Sequence, residues 1–359
     1  MTYRRKMDKP KVLFVCPSFQ SFVENDIQIL ASRYEVVVNN YNWSRKALAP
    51  WYFFLQFWAV GKALLSVELI VVSFGGYWAF WPSILGRLFG KSTYIILHGT
   101  DCASIPELHY GSLRITLLKW ICGKSYQYAN CLLPVSESLV MHQNDYYRST
   151  PPFKQGFKYF FPEVKTQYSC IPNGFDTEFW QKDANIKKEP NSFLAVLSTS
   201  QFILKGGDII LQIASRFPEC SFYFAGLQQP GHLKAIPDNV HFLGKLNALE
   251  LRNLYSKSQF YFQMSIFEGF GCALCEAMLC ECIPIVSKVN FLPYIIGDYG
   301  YILDKRDDKL LVDTIHQALK ADNNINKGIA AREHIRELFP LENRREKILA
   351  VLGNKLAMD

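Results

Sequence analysis

Two glutamates, Glu268 and Glu276, flank a glycine–aromatic–glycine turn in FEGFGCALCEAM, residues 267–278. An apolar strand pattern, FYFQMS over 260–265, precedes the turn, and a helix pattern starts near Cys272. Glycines such as Gly269 and Gly271 let backbone come close to a ligand. Free N–H groups at a helix start, here from Gly271 through Cys272 and Ala273 to Leu274, favour an anion, most often phosphate. Glu276 falls in the first turn of the expected helix and Glu268 just before it. Carboxylates repel phosphate, so both are expected to face another part of the ligand. Sugar hydroxyls fit, since one carboxylate accepts from two of them. A phosphate centre with hydroxylated flanks describes a nucleotide-diphosphate sugar. The plain alternative is a dipole-complementing Glu276 and a solvated Glu268.

Other strand ends supply further candidates. Lys205 in ILKGGD follows the strand pattern SFLAVLSTS (192–200), where a lysine neutralises diphosphate charge. Its alternative is an exposed loop lysine. His98 ends the buried pattern of IILHGTD, where an imidazole bonds a sugar hydroxyl or a developing charge, or is simply a satisfied structural histidine. Asp101 and Ser136 are weaker candidates, since each is placed to cap a following helix. Ser18, Asn173, Gly226 and Gly244 also stand at strand ends.

The elements that must position these residues read as two α/β halves. KVLFVCPSF, EVVVNNY, ELIVVSF, STYIILHGTD, ANCLLPVS and YSCIPNGFD are strands in the first, with helical spacing between them and after Ser136. The pattern restarts at Ser192 with SFYFAG, VHFLG, FYFQMS and CIPIVSK. The polar stretch 175–191 is the expected join, and residues 342–357 form a last helix. In open α/β sheets ligands bind beyond the carboxyl ends of the strands, so two such halves facing one another frame a cleft.

Composition bounds the alternatives. A chain of 359 residues fits two domains, and 20% charged residues without a low-complexity tract argue against disorder. The net charge of +7 is a mild excess, and nucleic acid is not an expected partner. Arg4, Arg5, Lys6, Lys9 and Lys11 against Asp8 make a basic start, read first as a solvated terminus and second as a contact for anionic lipid or nucleic acid. Ten cysteines, of which only Cys272 and Cys275 fall at CxxC spacing and none has an accompanying His at zinc spacing, suggest reduced thiols in a cytoplasmic protein and no metal site. Charge leads the chain and no small-residue cleavage site follows the first apolar run, so no signal peptide is expected. ALAPWYFFLQFWAVG (47–61) is shorter than the ~20 residues of a spanning helix. It is expected as a buried helix, with a helix at the lipid interface as the sharper alternative. GRLFGKS (86–92) fails the P-loop spacing, and a helix precedes it where a strand is required. Leu274 breaks the dinucleotide fingerprint after Gly269 and Gly271.

Taken together, FEGFGCALCEAMLCECIPIVSK resembles the E-x7-E signature of retaining family-4 glycosyltransferases. IPNGFDTEFW, LHGTD, PVSESL, LKGGD, VHFLGKL and FPLENRREKILAVL occur in that family's order, so the resemblance covers nearly the whole chain. It implies the GT-B fold, two Rossmann-like domains facing across a cleft, with a C-terminal helix crossing back to the first. The expected domains are 1–178, joined by 341–359, for the acceptor, and 179–340 for the donor. By that likeness Glu268 contacts the donor sugar and assists at the anomeric centre, and His98 meets the sugar near the reacting carbon. Glu276 binds the ribose. The amides from Phe270 to Leu274 hold the diphosphate and sugar, and Lys205 pairs with the phosphates. Gly244, Lys245 and Leu246 lie against the nucleobase. Ser18, Phe19, Asp101, Ser136 and Asn173 are secondary or acceptor-side candidates.

The implied activity moves a hexose from a UDP- or GDP-sugar to a glycan or lipid-linked acceptor with retained configuration and no metal, in cell-surface polysaccharide synthesis. The expected location is cytoplasmic, with peripheral contact at the inner face of the membrane as a further expectation. Three positions depart from the family pattern. Ser200 stands where an arginine is usual, CPSFQSF replaces a glycine-rich turn, and Tyr294 replaces the glutamate of a GLPE motif. Losing one cation at a leaving phosphate would cost about 2–4 kcal/mol. Ser200 therefore motivates an alternative, a non-catalytic relative that binds nucleotide sugar or acts as a scaffold. A nucleotide-sugar 2-epimerase on a similar fold matches the E-x7-E turn less well.

Overall fold

The computed structural model describes residues 9–148, 151–229, 231 and 236–353. The basic start through Asp8 lies outside them, as does the end of the last expected helix. Lys9 and Lys11 belong to the folded chain: Lys9 donates to the Ala31 carbonyl at 2.7 Å and Lys11 pairs with Glu35 at 3.0 Å. The chain forms two compact units. One comprises the residues up to Met141, Gln155–Pro172 and those from Arg345 on; the other comprises His142–Lys154 and Asn173–Arg344.

The sheet of the first unit has strands β1 (Lys11–Cys16), β2 (Glu35–Asn40), β3 (Leu69–Ser73), β4 (Ser92–Leu97), β5 (Cys131–Pro134) and β6 (Gln167–Tyr168), in the order β2-β1-β3-β4-β5-β6. All its pairings are parallel. LIVVS of β3 is buried throughout, as a strand covered on both faces must be, while EVVVNN of the edge strand β2 is only partly covered. Helices α1 (Ser21–Ala31), α2 (Ala49–Ala63), α3 (Tyr77–Leu88), α4 (Thr116–Tyr128) and the single turn α5 (Phe157–Phe160) complete the unit. The decoy at 86–92 indeed runs from helix α3 into strand β4.

In the second unit, β7 (Glu189–Val196), β8 (Ser221–Ala225), β9 (Val240–Gly244), β10 (Ser258–Gln263), β11 (Ile283–Ser287) and β12 (Tyr301–Leu303) run in the order β9-β8-β7-β10-β11-β12. This is the 3-2-1-4-5-6 order of Rossmann folds, again all parallel. Phe193 of β7 stacks on Phe222, Phe260 and Phe262 at centroid distances of 5.2, 4.8 and 5.0 Å, so aromatic rings on three neighbouring strands form one face of the core. The helices are α6 (Gly207–Ala214), α7 (Ala248–Lys257), α8 (Cys272–Leu279), α9 (Leu292–Ile296), α10 (Asp308–Lys320) and α11 (Asn324–Leu338). The last helix, α12 (Leu341–Gly353), begins in the second unit and groups with the first from Arg345 on.

Several local expectations need correction. Of YSCIPNGFD (168–176) only Tyr168 pairs as a strand, together with Gln167 before it; the amides of Ser169 and Ile171 still bond β5 carbonyls, and Pro172, without an N–H, ends the register. The helix expected after Ser136 is a single 3-10 turn, Glu137–Leu139. The aromatic helix is not buried. Of α2 only Gln56 and Val60 are covered, whereas Trp51, Phe54 and Trp58 are more than half exposed.

Candidate active site

Strands β7 and β10 are neighbours at the point where the second sheet reverses its order, and the crevice beyond such a point is the usual ligand position. Sequence places the Lys205 loop after β7 and the Glu268 turn after β10. Ile266 N–H donates to the Leu204 carbonyl at 2.8 Å, tying the two together. They touch as bare backbone. Gly206 has φ +74°, and a Cβ there would lie 2.3 Å from the Met264 carbonyl oxygen. Only glycine meets both demands. Ser287 of β11 donates to the carbonyls of Gln263 (3.2 Å) and Ser265 (2.7 Å), which fixes the turn from the other side.

Glu268 sits in a polar net built by these strand ends. Lys205 Nζ pairs with its Oε2, and the two side chains are only 17% and 12% exposed, so Lys205 is not the solvated loop lysine of the plain alternative. Gln263 Nε2 donates to the same oxygen at 2.7 Å and Ser265 Oγ at 3.3 Å. Tyr261 hydroxyl donates to Gln263 Oε1 at 3.0 Å, which orients that amide. All three donors to Glu268 fall on Oε2, which leaves Oε1 for a ligand. The Glu268 N–H donates to Asn290 Oδ1 at 3.1 Å, and the Asn290 N–H to His142 Nε2 at 3.0 Å. Burial pushes His142 down to about 4, so its ring is neutral and accepts.

The helix start lies three residues on. Gly271 is the N-cap of α8, with φ +115° and no side-chain cap bond, so the amides of Cys272, Ala273 and Leu274 have no acceptor within the helix. Phe270 anchors the turn: its buried ring packs on Phe175, Phe291 and Phe339 at 6.2, 5.7 and 5.3 Å. Gly269 is buried beside it. Asn173 Nδ2 donates to Cys272 Sγ at 3.3 Å, and burial pushes that thiol up to about 12, so it is a neutral group and no nucleophile.

Glu276 departs from the expectation. It lies in the second turn of α8, since the helix begins at Cys272, and it is buried. It is therefore not a solvated partner of the helix dipole. Desolvation pushes its carboxyl up to about 8, against the pull of the Tyr255 hydroxyl at 3.4 Å. A carboxyl kept this dry without a cation belongs to a built polar site or is strained for no gain.

The remaining donor-side residues separate by exposure. Gly244 has φ +70°, and a Cβ would meet Gln228 Nε2 at 2.4 Å; its carbonyl accepts from the Gly226 N–H at 2.7 Å. Lys245 beside it is exposed and Leu246 half-buried. Ser200 is exposed, its hydroxyl 3.2 Å from that of Ser198.

In the first unit, His98 Nε2 lies 3.1 Å from Ser73 Oγ, and its ring packs on Phe22 and Phe74 at 4.7 and 4.3 Å. Asp101 does not cap a helix. It is fully buried and accepts from the N–H groups of Gly75 (2.8 Å), His98 (3.1 Å) and Gly99 (2.8 Å), so it clamps the ends of β3 and β4. Burial, outweighing those three bonds, pushes it up to about 6. Ser136 is buried against the Ser138 hydroxyl at 2.9 Å and makes no cap bond. Ser18 and Phe19 are exposed after β1.

Sequence reasoning did not single out Gln263, Ser265, Asn290 or Tyr255, which orient the two glutamates. Gln263 carried a readable signal, a polar residue closing an apolar strand. Asn290, with φ +49°, reads only as a turn residue, and nothing local ties it to Glu268.

Residues 176–335 match the family model "Glycosyl transferases group 1". The gpi3 subunit of phosphatidylinositol N-acetylglucosaminyltransferase from Schizosaccharomyces pombe is 25% identical over 181 residues, 42% of this chain and 39% of that protein. The chain spans less than half the length of the curated relatives it matches. Among solved structures, sucrose-phosphate synthase from Thermosynechococcus elongatus superposes with a TM-score of 0.76 at 14% identity, over 98% of this chain and 100% of that one. Anabaena HepE in complex with UDP-glucose gives 0.71 at 16% identity, over 96% and 99%. The chain has the GT-B fold, two Rossmann-like units each built on a parallel sheet, and residues 176–335 of the second unit are similar to glycosyl transferases group 1.

Proposed function

We propose that this protein is a retaining hexosyltransferase that uses a nucleotide-diphosphate sugar. The observation that carries the reading is the turn after β10: an uncapped helix start between two largely buried glutamates, with Lys205 paired to the first. The amides of Cys272, Ala273 and Leu274 receive the diphosphate, and Phe270 holds their turn in place. Glu276 meets the ribose hydroxyls, and Gly244, Lys245 and Leu246 lie along the base. Glu268 offers Oε1 to the donor sugar. His98 keeps the role that the resemblance implies, at the sugar near the reacting carbon.

In the reaction the bond from the anomeric carbon to the diphosphate oxygen breaks, and a bond to the acceptor oxygen forms on the same face. The acceptor's proton passes to the departing diphosphate. Negative charge therefore grows on the phosphate side, where the helix start and Lys205 oppose it. Lys205 must share its ammonium between Glu268 and the phosphates once donor is bound. The roles need no metal. The acceptor is a glycan or a lipid-linked glycan of cell-surface polysaccharide synthesis, met at the inner face of the membrane; the phosphatidylinositol named in the yeast relative's description supports a lipid-borne acceptor.

Incubation with UDP- and GDP-hexoses tests this. The expected result is release of the nucleoside diphosphate, slow with water and faster with the correct acceptor, giving a product that keeps the donor's anomeric configuration by NMR. An inverted product would refute retention. Exposed Ser200, which brings only a hydroxyl, favours a second reading, a binding protein without turnover. Tight nucleotide binding with no hydrolysis or transfer would support that reading instead.

A further inference from the structure

The first unit carries an aromatic face that the transfer reaction does not use. Helices α2, α3 and α4 line a trough of about 820 Å³, within the range of roughly 300–1,000 Å³ typical of small-ligand pockets. Its walls include Phe53, Trp78, Phe80, Trp81, Leu117 and Trp120, and among the residues lining it Lys46 alone is charged. The walls are firm: Trp81 Nε1 donates to the Phe53 carbonyl at 2.9 Å, and the rings of Phe80 and Trp120 lie 5.9 Å apart. Trp43 also lines the trough, and its indole N–H has no hydrogen-bond partner among the described residues. On the outer side of α2, Trp51, Phe54 and Trp58 are 57%, 52% and 62% exposed, and on α4 Trp120 is 54% exposed.

Charge decides what such a face can meet. Segments 41–63, 77–91 and 111–128 contain no Asp or Glu. They carry Arg45, Lys46 and Lys62 on the first, Arg87 and Lys91 on the second, and Arg114, Lys119 and Lys124 on the third. Those eight cations exceed the +7 of the whole chain. A second copy of the same face would set like charges opposite each other, which disfavours self-association. Trp and Tyr rings fringed by Lys and Arg are instead the composition of a surface at the lipid–water boundary. The α2 helix has 15 residues, and no described helix is long and apolar enough to cross a membrane, so it lies along a bilayer rather than through one.

We propose that the α2–α3–α4 face seats the first unit on an anionic phospholipid bilayer, with one hydrocarbon chain in the trough and the exposed Lys46 toward the headgroup. This gives the peripheral contact of the proposed function a specific site. It rests on that reading only for its purpose, since partition to vesicles is measured without donor or acceptor.

Co-sedimentation of the full chain with phosphatidylcholine vesicles, with and without phosphatidylglycerol, is the test. The face predicts partition to the anionic vesicles, weakened by salt, with a blue shift of tryptophan emission. Trp51→Ala with Trp58→Ala should reduce partition at least about tenfold by removing interfacial rings. Lys46→Gln with Lys62→Gln should reduce it about 25-fold, at about fivefold per cation near an anionic surface. Unchanged circular dichroism and an unchanged thermal shift with nucleotide would show that the variants are folded. No partition by the wild type, or equal partition by all variants, would overturn the proposal. A lipid-free dimer in sedimentation velocity that the Trp variants abolish would overturn it too, assigning the face to a second copy.

Discussion

Replacing Glu276 by glutamine should make the protein's stability less dependent on pH. Burial raises the folded carboxyl to about 8 from an ordinary 4.5, so the folded chain holds this proton more tightly than the unfolded chain does. The contribution is fully present below the unfolded value and is lost as pH rises through the folded one. Between pH 5 and pH 8 the shift amounts to about 3–4 kcal/mol of lost stability from this one group. Glutamine has nothing to titrate and keeps an oxygen for the Tyr255 hydroxyl. Urea denaturation of wild type and Glu276→Gln at both pH values isolates the effect, because Asp101 and other shifted groups are common to both proteins and cancel. The variant should gain on the wild type by that amount as pH rises. Parallel pH profiles would show that Glu276 is ionised throughout and that its burial is compensated. Under the proposed function, nucleotide hydroxyls favour the ionised form. Wild-type affinity for nucleotide should then rise by up to about tenfold per pH unit below 8, and that of the variant should not.

Two further predictions concern the crossing of the loops after β7 and β10. Lys205→Ala leaves Glu268, 12% exposed, without its cation and should cost about 3–5 kcal/mol; adding Glu268→Gln should recover part of the loss in a denaturant double-mutant cycle, and additive losses would contradict the pairing. Gly206→Ala forces a Cβ to 2.3 Å from the Met264 carbonyl at φ +74° and should cost at least about 1–3 kcal/mol by urea midpoint; a neutral variant would mean that the two loops do not touch as described.

The fold was largely legible because its strands are buried on both faces: LIVVS and STYIIL have no polar break to confuse with a helix. Short edge elements were not, since Gln167–Tyr168 pairs through backbone alone and carries no apolar signature. The aromatic α2 helix misled for a related reason. Hydrophobicity along a sequence does not tell a buried ring from an exposed one; only the structure shows that Trp51 and Trp58 are exposed. At the site, strand ends marked Lys205 and Glu268 separately. Their contact depends on β7 and β10 being neighbours, which no local spacing encodes. Glu276 is similar: the sequence shows its distance from the turn, but its dryness comes from Tyr255 and the body of the second unit.

The most direct test of the account is calorimetric titration of UDP, GDP and ADP into the wild type, Glu276→Ala and Glu268→Ala, with donor hydrolysis measured on the same samples. The turn after β10 predicts that at least one nucleotide binds the wild type. Glu276→Ala should weaken that binding about tenfold or more, and Glu268→Ala should keep it while losing turnover. If none of the three nucleotides binds, the helix start and its two glutamates are not a nucleotide-sugar site. If both variants lose binding equally, the division of roles between Glu268 and Glu276 is wrong.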